Sequence, residues 1–143
     1  MTEKKRSDQL EVGEEFEPYE FLVTPAFNKQ YLEAEEDYHP RYLHDTELGP
    51  PVVHPSLLIN HSNFTRSPSF YLPPRMAAVH AKDEVEFLSP GRVGKTFRVT
   101  WKVIEIYERR GRQYQVSEIL ISDEDGIEIM RRRLNATYIS GGE

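Results

Sequence analysis

Residues 31–64 read YLEAEEDYHPRYLHDTELGPPVVHPSLLINHSNF, and the fold is decided here, where a polar helix end gives way to two proline breaks and an apolar helix. Four of the five histidines fall inside this stretch: His39, His44, His54 and His61. Pro40 has no amide hydrogen with which to continue a helix and biases His39 away from the helical region, so the chain turns there. Residues 41–48 read as a short helical excursion, and Gly49-Pro50-Pro51 turns the chain again. Pro55 then takes the first position of a new helix, where its missing N–H costs nothing. On that helix Leu57, Leu58, Ile59, His61, Phe64 and Thr65 supply an apolar side at helical spacing. Asn60, Ser62 and Asn63 interrupt it, which points to a hydrated site beside the helix or to a subunit contact.

Upstream, residues 1–11 are polar without a period and read as a mobile end. The aromatic and β-branched run at 19–23 reads as a first strand. Thr24 is an N-cap with Pro25 behind it, opening a helix to about residue 37. Phe27, Tyr31 and Ala34 face a sheet on that helix, and Glu33, Glu35 and Glu36 belong to its solvated side. Downstream, Ser67-Pro68 and Pro73-Pro74 bracket a loop with too many large side chains for full exposure. From residue 77 the period becomes two. Val79, Ala81, Val85 and Phe87 alternate with His80, Lys82, Glu84 and Glu86, as on a strand with one wet face. Phe97, Val99, Trp101 and Val103 line one face of the next strand, and the shift to Ile104 and Ile106 predicts a bulge or a length buried on both sides. Hairpin turns follow at 108–112 and at Asp125-Gly126. Three long strands joined by short turns form a meander, and the whole is an α+β domain, residues 12–140, in which one antiparallel sheet wraps one central helix.

A formal charge of −6 and a pI near 5.4 exclude a clustered basic face for nucleic acid or anionic membrane. There is no cysteine, so disulfides and thiolate metal sites are excluded, and a cytoplasmic address is the simpler reading. No apolar run reaches membrane-spanning length, and the N-terminal residues hold no signal-like apolar region, so the expectation is a soluble, unprocessed protein.

The order Asp37-Tyr38-His39-Pro40-Arg41-Tyr42, then Gly49, then the helix start at His54-Pro55, resembles the MaoC-like hot-dog family of enoyl-thioester hydratases and dehydratases. Its signature is Asp, any residue, Asn, Pro, an aliphatic residue, His. Asp37 and Pro40 match, whereas His39 stands at the Asn position and Tyr42 at the catalytic His position. Pro55 stands where hydrating members place a glycine whose N–H polarises the thioester carbonyl. These departures resemble the non-hydrating, N-terminal type of MaoC-like unit, the half that shapes the acyl tunnel while a partner supplies Asp and His. The resemblance implies a hot-dog fold and a coenzyme A or acyl-carrier thioester as substrate, with no bound cofactor. It implies water addition or removal at Asp37 with Tyr42, and His39 or His44 as a displaced base. It puts His54, Ser56 and Asn60 at the helix mouth as substrate-binding residues, with Arg131 and Arg133 as phosphate contacts. The loop at 69–72 then covers an acyl tunnel or a neighbouring subunit. A homodimer or a heterodimer with another hot-dog subunit is expected. A non-catalytic acyl-binding subunit and a hot-dog thioesterase are the alternatives. His39, His44, His54 and His61 lack the spacing of a metal-binding set, so no metal is expected.

Overall fold

Phe97, Val99, Trp101 and Val103 are all fully buried along one side of a single strand, and the rest of the molecule is arranged to cover them. The computed structural model describes residues 3–141. In chain order the elements are β1 (Lys5–Arg6), β2 (Tyr19–Leu22), α1 (Pro25–Glu35), α2 (Pro40–Leu43), α3 (Pro55–His61), β3 (Phe70–Tyr71), β4 (Met76–Phe87), β5 (Thr96–Arg109), β6 (Arg112–Asp123) and β7 (Glu128–Ser140). Five of the strands form one antiparallel sheet in the order β2-β5-β6-β7-β4. The β5–β6–β7 meander expected from the turns is present. The first hairpin closes on Arg110 and Gly111, both at positive φ (53° and 76°), the pairing that matches strand twist. β5 carries the predicted bulge, its register with β6 shifting between Val103 and Glu105.

The inner face of the sheet presents Phe97, Val99, Trp101, Ile119, Ile121, Met130 and Leu134, and Leu57 and Leu58 of α3 pack into it. Burying each leucine contributes about 1.5–3 kcal/mol relative to leaving it in water. No helix among the described residues is long and apolar enough to cross a membrane.

Four expectations are corrected. Of the segment 1–11, Met1 and Thr2 lie outside the described residues, but the part from Lys5 to Leu10 is docked: β1 pairs in parallel with β3, Ser7 is buried, and Leu10 joins the core. Two apolar anchors, Leu10 and Phe16, outweigh the polar composition around them. The segment at 69–72, read as a loop, contains the strand β3, and Phe70 packs near Phe16 and Phe64. The alternation on β4 is broken by a register shift between His80 and Lys82. One extra residue reverses which side chains face inward. Before the shift Ala78 packs on the core and His80 lies against Phe64; after it Val85 packs inward and Asp83 meets Arg132. Val79, expected inside, is 39% exposed.

The last correction is the length of α3, which stops at His61 instead of reaching Thr65. Arg132, 3% exposed, donates from Nη1 to the Ile59 carbonyl, Ser62 Oγ and Asn63 Oδ1 at 3.2, 2.8 and 2.9 Å. Its Nε and Nη2 grip the Asp83 carboxylate at 2.9 and 2.6 Å. Trp101 Nε1 donates to the Ser62 carbonyl at 2.7 Å. Groups left open at a helix end are thus satisfied by the sheet, which fixes where the helix stops.

Candidate functional site

A short clamp delivers the chain to the start of α3. Val53 N–H donates to the Gly91 carbonyl at 2.7 Å, Val93 N–H donates to Pro51 at 2.9 Å, and the Arg92 guanidinium donates to the Pro50 carbonyl at 2.9 Å. At Gly91 a Cβ would come within 3.1 Å of the Phe97 ring, so the approach of the two segments is set by the missing side chain. Val52 N–H donates to the Arg41 carbonyl at 2.8 Å, and Asn28 Nδ2 of α1 donates to the Tyr42 carbonyl at 2.9 Å. The first half of α1, the residues of α2 at 41–42 and the approach to α3 are thereby fixed together.

Each of the three α-helices begins with a capping side chain and then a proline: Thr24-Pro25, His39-Pro40 and His54-Pro55. Thr24 Oγ1 accepts from Phe27 N–H at 3.0 Å, His39 Nδ1 from Arg41 N–H at 3.2 Å, and His54 Nδ1 from Ser56 N–H at 3.1 Å. For His54 the cap has a chemical consequence. With Nδ1 an acceptor, the neutral ring carries its proton on Nε2. Nε2 donates to Asp37 Oδ2 at 3.0 Å, joining residues 17 positions apart.

Asp37 Oδ1 accepts from the His39 N–H at 3.2 Å. That bond is the main reason the Asp37 carboxyl titrates below its ordinary 3.8; partial burial opposes the shift, and His54 adds to it. Asp37 is therefore a carboxylate at neutral pH, 38% exposed, beside a histidine that is 16% exposed. On the other side of the ring, Ser56 Oγ lies 2.8 Å from His54 Nδ1 and 2.7 Å from the Tyr31 hydroxyl. Burial, opposed by the Ser56 bond, raises the Tyr31 phenol above its usual range and keeps it protonated. Tyr31, Ser56, His54 and Asp37 form one unbroken hydrogen-bonded run. The Tyr42 ring lies 4.8 Å from the His54 ring, and its hydroxyl makes no hydrogen bond among the described residues. Beside Pro55 an apolar cleft of about 250 Å³ is walled by Val52, Leu58, Phe87, Leu88 and Pro90.

The predicted residues divide. Asp37, His54 and Ser56 meet, with the Tyr42 ring tilted against that of His54. His39 touches Asp37 only through its backbone; its ring caps α2, as its place in the turn suggested. His44 is exposed after α2 and makes no side-chain hydrogen bond among the described residues, and Asn60 is exposed on α3. Arg131 and Arg133 point outward from β7 to Glu128 and Glu118, at 3.4 and 3.6 Å, while Arg132 between them is the buried strut beneath α3. The sequence reading passed over Tyr31 as a packing residue. The signal was its polar tip, since a buried tyrosine hydroxyl finds a partner.

No protein-family model and no curated protein sequence matches the chain. Solved structures do match in shape. An Archaeoglobus protein described as a monoamine oxidase regulatory protein superposes with a TM-score of 0.76 at 17% identity, covering 99% of this chain and 98% of that one. The MaoC-like dehydratase from Rhodospirillum rubrum gives 0.74 at 17%, covering 94% and 95%. A chain of the HadBC (3R-hydroxyacyl-ACP dehydratase) complex from Mycobacterium tuberculosis gives 0.66 at 17%, covering 91% and 98%. With its curled antiparallel sheet and the short helix α3 packed on the inner face, the chain has the hot-dog fold and is similar in shape to these proteins, a MaoC-like dehydratase among them.

Proposed function

We propose that the protein acts on an acyl thioester in the manner of a MaoC-like hydratase or dehydratase, adding water across, or removing it from, the 2,3 position of an acyl group carried on coenzyme A or a carrier protein. The observation that carries this reading is the Asp37–His54 contact of 3.0 Å at the mouth of α3. A carboxylate held by an oriented imidazole is what orienting and deprotonating a water requires. Asp37 is held by two donors and keeps lone pairs for a water. In hydration it takes a proton from the water as the water oxygen adds to C3, and that proton is then delivered to C2, so that one water is consumed and the carboxylate is restored; dehydration is the reverse. His54 donates to the carboxylate and holds it in place.

The helix start departs from the hydrating pattern. Pro55 has no N–H, and the Ser56 N–H is already given to His54. The Tyr42 hydroxyl is the free donor beside the pair, suited to the thioester carbonyl, and a phenol cannot serve as a base near neutrality. Those two departures favour a second reading, that the chain is the acyl-binding partner of an intact hot-dog subunit, and the HadBC dehydratase complex among the structures it resembles lends support. Purified protein assayed on a short 2-enoyl-CoA separates the two. Hydration by the chain alone supports the first reading; hydration only with a second hot-dog subunit supports the other.

A further inference from the structure

The one basic nitrogen of His54 does not face open solvent or the space beside Asp37; it faces the hydroxyl of Ser56. Nε2 is committed as a donor to Asp37 Oδ2 at 3.0 Å, so Nδ1 holds the ring's lone pair, and Ser56 Oγ lies 2.8 Å away. A serine within hydrogen-bond reach of a histidine that a carboxylate orients is the arrangement of an activated nucleophile, recognised by roles and geometry rather than by fold or chain order. Here the imidazole is turned, with Nδ1 toward the serine and Nε2 toward the aspartate. Ser56 receives a second contact from the protonated Tyr31 hydroxyl at 2.7 Å, a donor that stabilises negative charge on Oγ. Both the serine and the histidine are partly exposed.

Building on the thioester reading above, we propose that Ser56 is an acyl-accepting nucleophile and that the protein cleaves thioesters through an acyl-serine. In the first step the Ser56 Oγ–C bond forms and the C–S bond breaks. His54 Nδ1 takes the Ser56 proton and passes it to the departing thiolate, which leaves as a free thiol. In the second step water attacks the acyl-serine ester, His54 Nδ1 takes the proton of that water and returns it to Ser56 Oγ, and a carboxylic acid is released. Asp37 holds the imidazole and stabilises its charged form. The Tyr42 hydroxyl is placed beside the ring to donate to the carbonyl oxygen as charge develops there.

The test uses the whole chain and a saturated short-chain acyl-CoA, which has no double bond to hydrate. The chain has no cysteine, so a thiol-reactive dye reports only released coenzyme A, and any acyl adduct must sit on oxygen or nitrogen. Thiol release by the wild type is expected, falling about a hundredfold or more in Ser56→Ala. Mass spectrometry should place the acyl group, and separately a fluorophosphonate probe, on the peptide holding Ser56. Localisation in the wild type does not depend on how the variant folds. Labelling at another residue, no thiol release, or undiminished release by a folded Ser56→Ala protein overturns the proposal. Hydration of an enoyl-CoA without thiol release overturns this inference and leaves the hydratase reading standing, whereas failure to bind any acyl-CoA removes both.

Discussion

Asp37 is oriented by local geometry: the chain folds back so that His39 N–H meets one oxygen, and the helix cap of His54 turns Nε2 to the other. Asp37→Asn keeps the shape and removes the charge, so kcat on an enoyl-CoA should fall about 10²-fold or more, the usual contribution of a positioned acid–base group. Tyr42→Phe should raise KM or lower kcat moderately. Tyr42→His should increase hydration, and if it creates hydration in an otherwise inert wild type, the partner-subunit reading is the right one. Asp37 was legible in the sequence because its spacing to Pro40 is local. The His54 contact was not, because it spans 17 residues and depends on the clamp between residues 51–53 and 91–93. His39 and His44 were nearer in sequence and were the natural choice for a displaced base, but a cap fixes the first and the second points to solvent.

At the scale of elements, α3 is held between its cap and Arg132. Replacing Arg132 with leucine leaves the Asp83 carboxylate and Asn63 Oδ1 without their donor. Breaking a buried pair costs about 3–5 kcal/mol, and the one-third exposure of the Asp83 side chain puts the expected loss near the low end. Chemical denaturation should show this for Arg132→Leu, while Arg131→Ala and Arg133→Ala stay within about 0.5 kcal/mol of wild type, as surface changes do. Equal effects at the three positions would contradict the assignment of Arg132 as the strut. The alternation of residues 131–133 across β7 was readable from the strand period; that the middle arginine supports a helix was not, since its partners lie on β4 and beyond α3. The same limit explains β4, where a single extra residue at 80–82 defeats a strict period of two.

Taken as a whole, the molecule leaves β4 at one edge of the sheet, with Val79 and Phe87 39% and 48% exposed. An uncovered twelve-residue edge strand invites pairing, and association into a dimer through β4 is the expected state; sedimentation of a clean monomer at micromolar concentration would contradict it. Stability should also depend on pH through His61 and His80. Burial among the rings of Phe21 and Phe27 holds His61 below the ordinary 6.5; the more exposed His80 is lowered by its partial desolvation, with nearby Arg132 adding to the effect. The unfolded chain therefore binds more protons in the interval below 6.5. The stability these neutral rings support is present above that value and is lost as pH falls through the interval toward their folded values. Thermal melts from about pH 7.5 to about pH 5 should show a falling midpoint, and His61→Phe should flatten the dependence; a midpoint unchanged over that range would contradict the burial argument.

The central claim is that Asp37, oriented by His54, does thioester chemistry at the mouth of α3. The most direct measurement is the steady-state hydration of a short 2-enoyl-CoA by the wild type and by Asp37→Asn, each alone and with an intact hot-dog subunit. The account predicts activity in the wild type and a loss of about a hundredfold in kcat for the variant, with its melting midpoint little changed. Full activity in Asp37→Asn would place the chemistry elsewhere and contradict the account.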